Sequence, residues 1–84
     1  MAIERYDFDP RDTSREERVS VIERLCQLEH VADISLENGY HFSGRIALFI
    51  DNSVWIQRWD PLNLKLSKEL IIVELDDLRK IHIP

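Results

Sequence analysis

The chain has a single cysteine, Cys26, so no intramolecular disulfide can hold it together. Glycine occurs twice and proline three times in 84 residues, too sparsely for a flexible linker, and the 44% of hydrophobic residues supply material for a core. Positive charge is also short: 11 Lys and Arg stand against 16 Asp and Glu, a net charge of −5. Long-range attraction to a phosphate backbone is therefore not a general property of the chain. The deficit is not confined to a tail, since residues 1–30 carry five Arg and eight acids, and residues 31–84 six Lys or Arg and eight acids. No long apolar run is present either. The stretch from Ile46 to Ile50 is the longest, far below the roughly 20 residues of a bilayer span, so a membrane is not expected as a partner. The first residues, Met-Ala-Ile-Glu-Arg-Tyr-Asp, lack a secretory apolar segment, and with one unpaired Cys this gives the expectation of a reducing, cytoplasmic setting.

A chain of this length has room for one domain. A domain so small buries only about 60% of its unfolded surface and commonly relies on a partner subunit, a metal or a disulfide. Residues 1–12 are polar, contain Pro10 and show no periodicity, which predicts a loosely ordered N-terminal arm with Tyr6 and Phe8 as its packing candidates. Residues 13–84 form the domain. Ser14 and Glu17 have the spacing of a capping box, and Val21, Leu25 and Leu28 with Ile22 and Cys26 form an apolar stripe, predicting an amphipathic helix over about residues 14–29. Arg15, Glu16, Arg18, Glu23, Arg24 and Gln27 are expected on its solvated face.

The period then changes from 3.6 to 2. Ala32, Ile34 and Leu36 alternate with polar residues up to Asn38-Gly39, a strong hairpin signal. Strands are expected at about 31–37, 40–50, 54–59, 70–75 and 80–83, joined by short turns at Asp51-Asn52-Ser53, Asp60-Pro61-Leu62-Asn63 and Asp76-Asp77-Leu78. Gly44, near the middle of the long second strand, is where that strand can bend sharply.

Residues 31–52 resemble the first motif of the Sm and Sm-like superfamily. The resemblance is carried by Ile34, Leu36, Asn38, Gly39, Phe42, Gly44, Ile46, Ile50, Asp51 and Asn52. The preceding helix and the later Leu75, Asp77, Leu78 and Ile81 extend it over residues 14–83. It implies a mainly β fold, a five-stranded Sm-like (SH3-like) barrel with one N-terminal α-helix capping an open end. It also implies homo-oligomeric rings, made by pairing strands four and five of neighbours. RNA-binding members hold nucleotides with the turn after strand two, matched here by Asp51 and Asn52, and with a basic-Gly pair between strands four and five. Here the second position reads Glu74-Leu75-Asp76-Asp77, whose carboxylates repel phosphate. Leu25-Cys26-Gln27 running into an alternating strand is similar to the Rho-binding antiterminator branch, whose members are small, acidic and bind a protein.

Two registers are open for the second hairpin. A two-residue Asp51-Asn52 loop sets Ile50 opposite Ser53 and Leu48 opposite Trp55, leaving Phe49, Val54 and Ile56 on the outer face. A three-residue loop turns Val54 and Ile56 inward and places Phe49 with Trp55 and Trp59 outside. Either set exceeds what one core face absorbs, so Phe49, Val54, Trp55, Ile56 and Trp59 are the candidate protein-binding residues, in the size class where binding energy concentrates. Leu70, Ile71, Ile72 and Val73 are apolar on both strand faces and form a candidate self-association edge. The material for RNA contact is His41, Arg45, Asp51, Asn52 and Arg58, near Trp55, Trp59, Lys65 and Lys68.

No catalytic or metal-ligating set is recognisable. His30, His41 and His82 lie at a helix end, on an outer strand face and in the last strand, without a second ligand at a known spacing. Cys26 belongs to the apolar stripe, where a thiol packs as a small hydrophobe. Neither a cofactor nor a small-molecule substrate is expected. The sequence thus predicts a non-enzymatic, regulatory interaction module that binds a protein partner or itself, the alternative being a ring-forming RNA-binding protein.

Overall fold

The structure, a computed structural model, describes residues 4–84. It contains strand β1 (Glu4–Asp7), helix α1 (Arg15–Cys26), and strands β2 (Ala32–Leu36), β3 (His41–Ile50), β4 (Ser53–Asp60), β5 (Lys65–Glu74) and β6 (Leu78–Ile83), with a 3-10 turn at Leu75–Asp77. All strand pairs are antiparallel and form one open sheet in the order β1-β6-β2-β3-β4-β5. The mainly β character and the single helix agree with the sequence. Two details differ: among the described residues there are six strands rather than five, and the sheet does not close into a barrel.

The sixth strand comes from the expected arm. Tyr6 pairs with Ile81, the Phe8 N–H donates to the Arg79 carbonyl at 2.9 Å, and the Phe8 ring is fully buried. Four residues are too few to display a period, so β1 is specified by the β6 edge and by the Phe8 anchor beside it. Residues 1–3 of the expected arm lie outside the described residues.

Helix α1 starts as its sequence predicts. The Ser14 side chain accepts from the Glu17 N–H at 3.1 Å, satisfying one of the free donors of the first turn. Ile22 and Leu25 enter the core, with Val19, Val21, Cys26 and Leu28 packed at its margin. Arg18, expected in solvent, is instead only 6% exposed. It stands one turn before Ile22 and two before Leu25, so their row carries it inward, where its Nη1 donates to Asp76 Oδ1 at 2.8 Å. The helix ends three residues earlier than expected, at Cys26.

The second hairpin has the two-residue loop. Ile50 opposes Ser53, and Asp51 and Asn52 both take positive φ, 50° and 70°, as a primed turn requires. The core nevertheless contains Val54 and Ile56, because the ladder slips by one residue at Ala47, between the pairs Ile46↔Ile56 and Leu48↔Trp55. This bulge reverses the facing of β3. Before it Phe42 and Ile46 point inward; after it Leu48 and Ile50 point outward and Phe49 packs against the core.

The β5–β6 connection shows that the sheet is strongly curled. Strands β2, β3 and β4 separate β5 from β6, which in a flat sheet would put them about 19 Å apart at ~4.8 Å per strand. From Glu74 to Leu78 the chain can reach at most about 14 Å. The linker also ties down both ends of β3. The Leu75 N–H donates to the Asn52 carbonyl after β3, and the Glu37 N–H before β3 donates to the Asp77 carbonyl, each at 2.8 Å. Ten straight residues would hold those turns about 33 Å apart, so β3 is bent. Gly44 lets it bend against β4: a Cβ there would lie 2.5 Å from the Gln57 carbonyl oxygen and 2.7 Å from Ile56 Cγ2.

Candidate interaction surface

Alternation along β4 places Val54 and Ile56 in the core and Trp55 on the opposite face. Trp55 lies between Leu48 of β3 and Ile72 of β5, giving a cross-strand apolar row on the outer face. Leu48 and Ile50 are 44% and 48% exposed, and Leu70 and Ile72 are 50% and 52% exposed. The bulge at Ala47 builds this surface, by turning two large aliphatic side chains of β3 away from the core.

The sequence-derived set therefore divides. Val54 and Ile56 are excluded from any outer surface by complete burial, and Phe49 packs against the core. Trp55 alone remains in the row. Trp59 lies further along β4, opposite Leu66, and lines a separate cavity of about 310 Å³ with Arg58, Asp60, Pro61, Leu62, Ser67 and Glu69. Leu48 and Ile50 were missed because unbroken alternation assigns them inward; only the bulge reverses that assignment.

Strand β5 accounts for its own two-faced sequence. Val73 is buried and Ile71 packs against the core, whereas Leu70 and Ile72 are bare on the other face. The strand is ten residues long and begins five residues earlier than expected, because Lys65, Ser67, Lys68 and Glu69 give that half no apolar signal. One side of β5 pairs with β4 and the other is a sheet edge. Where the curled sheet fails to close, Ile72, Val73 and Glu74 face Leu36, Glu37, Asn38 and Asp77 across a groove of about 430 Å³.

At the tip of the β4–β5 hairpin, the Asp60 carboxylate accepts from Asn63 Nδ2 at 2.6 Å and from the Leu62 N–H at 2.9 Å. The Asn63 side-chain bond, then the Leu62 backbone bond, hold its carboxyl below the usual carboxylate range. Leu62 and Leu64 project from this tip, both well exposed, and Leu64 adopts a φ of 52°.

The residues considered for RNA are dispersed. Asp51 and Asn52 follow the end of β3, while His41 is at its beginning. Asn52 Oδ1 accepts from Arg15 Nη2 at 3.3 Å. Arg45 opposes Gln57 and Arg58 opposes Gly44, so alternation directs the two arginines to opposite faces, and Arg58 lies 3.6 Å from Glu69. Among the described residues, no three His, Cys, Asp or Glu side chains are grouped to hold a metal ion. His82 Nδ1 is 3.7 Å from Asp33 Oδ2. Burial pushes the Cys26 thiol up from its usual pKa. Among the described residues no helix is long and apolar enough to cross a membrane.

No protein-family model matches the chain, and no curated protein or solved structure is significantly similar to it.

Proposed function

We propose that the chain is a small, non-enzymatic, regulatory interaction module. It docks a protein through the outer row Leu48–Trp55–Ile72, extended by Ile50 and Leu70, with the β5 edge beside it. The observation that carries this reading is that Leu48, Ile50, Leu70 and Ile72 are exposed around a half-buried Trp55 on the face opposite the core. A β-branched and aliphatic rim around a Trp is the arrangement in which a few residues supply most of a docking energy. The net charge of −5 favours encounter with a basic protein. The Sm-like architecture belongs to the same proposal: a helix followed by a curled antiparallel sheet, with Gly44 at the bend of β3, is what that resemblance implies. The site requires no cofactor, and the cytoplasm is the proposed location.

The test compares capture of proteins from a cell extract by the wild-type chain and by Trp55→Ala. A discrete protein retained by the wild type and lost from a folded Trp55→Ala chain supports the reading. Equal retention by Trp55→Ala and by Ile72→Ser overturns it.

A further inference from the structure

The seam between β5 and the β2–β3 turn joins an open strand edge to a negative rim. Strand β5 is the last of the sheet, so one row of its backbone groups has no strand partner among the described residues. Its pairing with β4 is irregular between Gln57 and Trp59 but regular from Leu70 to Glu74. The Leu75 N–H donates to the Asn52 carbonyl at 2.8 Å, which continues that register by one residue. Alternation from this bond turns the backbone N–H and C=O groups of Ile71 and Val73 towards β4, and those of Ile72 and Glu74 towards the open edge. That edge is one wall of the groove of about 430 Å³, and Leu36, Glu37 and Asp77 belong to the other.

The lining combines apolar and negative side chains. Val73 is buried, Leu36 half-buried and Ile72 exposed. Glu37, Glu74 and Asp77 are all exposed, and no Lys or Arg lines the groove. Glu37 lies 3.4 Å from Arg79, and Glu74 accepts from Ser53 Oγ at 3.2 Å. The Asp77 carboxylate has no ion-pair or hydrogen-bond partner among the described residues.

We infer that this groove takes an extended segment of a partner protein, added to β5 as a strand at Ile72–Glu74, with Lys or Arg at alternate positions and apolar residues between them. The inference deepens the docking role proposed above and rests on it for the partner being a protein. Directly opposed residues of paired strands point to the same face. The added residue opposite Val73 therefore turns to the inner side, where an apolar side chain covers Val73 and Leu36. Its neighbours, opposite Ile72 and Glu74, turn outward, where a cation meets Glu74 while its aliphatic stem lies along Ile72. Backbone bonds to Ile72 and Glu74 supply affinity that is indifferent to sequence, and the carboxylates of Glu37, Glu74 and Asp77 select the charge of the segment. The same carboxylates repel a phosphate backbone, and a second copy of this chain carries the wrong net charge, −5.

NMR titration of the isotope-labelled full chain with two capped six-residue peptides, alternating Val-Lys and alternating Val-Glu, tests this. The Val-Lys peptide is expected to bind with its largest shifts at Ile72–Glu74 and Leu36–Glu37, and the Val-Glu peptide to leave them unmoved. Glu74→Gln and Asp77→Asn should each weaken Val-Lys binding about twofold to fivefold at low salt. N-methylation of every second amide of the Val-Lys peptide should abolish binding in one phase of the alternation and spare it in the other, because only one set of amides faces β5. No binding of Val-Lys at millimolar concentration overturns the inference, as do equal binding of Val-Glu, shifts centred away from the groove, or indifference to the phase of methylation. The proposed outer row is separable from this outcome. A chain that ignores the Val-Lys peptide yet still loses its captured protein on Trp55→Ala discards the groove and keeps the row.

Discussion

Arg18 brings a charge into the interface between α1 and the β5–β6 linker, where it has one ion-pair partner, Asp76 at 2.8 Å, and an Nε without a protein acceptor. Removing Asp76 would leave a buried guanidinium short of acceptors, a larger loss than an exposed pair produces. Asp76→Ala is expected to lower unfolding free energy by about 1–3 kcal/mol, whereas the exposed pair of Arg58 and Glu69 should contribute less than about 1 kcal/mol; urea denaturation of the two sets of variants separates them. Gly44→Ala should cost about 1–3 kcal/mol, because its Cβ would meet backbone of β4 that a rotamer change cannot move. Asp9 gives a pH signature. The Arg11 side chain and backbone N–H hold its carboxyl well below the ordinary range, so folded Asp9 binds a proton less readily than unfolded Asp9. The resulting stabilisation is present at neutral pH and is lost as pH falls below the unfolded Asp value of about 4 towards the folded one. Denaturation curves at successive pH values should therefore show a shallower acid loss in Asp9→Asn than in the wild type. Glu17, whose N–H completes the Ser14 cap, and the hairpin at Asn38-Gly39 were legible from sequence because their effects are local. Arg18 was partly so: its spacing from Ile22 places it inward, while its charge argued outward, and only Asp76, 58 positions away, decides between them.

At the scale of elements, the outcome in β3 and β4 turns on one residue. Periodicity identifies both strands but leaves their loop open between two and three residues; a bulge has no period of its own, and Ala47 is an unremarkable residue in an apolar run. That slip exchanges Val54 and Ile56 for Leu48 and Ile50 as candidates for the outer surface. It also explains how β4 can carry Trp55 between two core residues. Ile56→Ala should therefore cost about 2–5 kcal/mol as a core truncation, while Trp55→Ala should keep a native circular-dichroism spectrum and cooperative melting. Comparable losses of folding in both would place Trp55 in the core and remove the proposed surface. β1 and the polar half of β5 were hidden for a related reason: their strand conformation is set by the neighbour each pairs with, β6 and β4, rather than by their own side chains.

For the whole molecule, short connections do most to define shape. A three-residue linker joins β5 to β6 across three intervening strands and bonds to the turns before and after β3, which forces the sheet to coil around a single core. The connections and strand order-setting hairpins were readable as turn residues; the sixth strand and the unclosed seam between the β2–β3 turn and β5 were not, since both depend on contacts distant in sequence. Coiling leaves one face enclosed and the other, with the long edge of β5, outside. On the proposed reading, this outer surface recognises protein. Its rival is an RNA-binding ring, whose basic side chains are dispersed in this structure. Light scattering at several protein concentrations, with and without a mixed single-stranded RNA, tests the two most directly. For a protein-docking module the expected mass is no greater than that of a dimer and unchanged by RNA; a stable ring whose mass rises when RNA is added would instead establish the RNA-binding alternative.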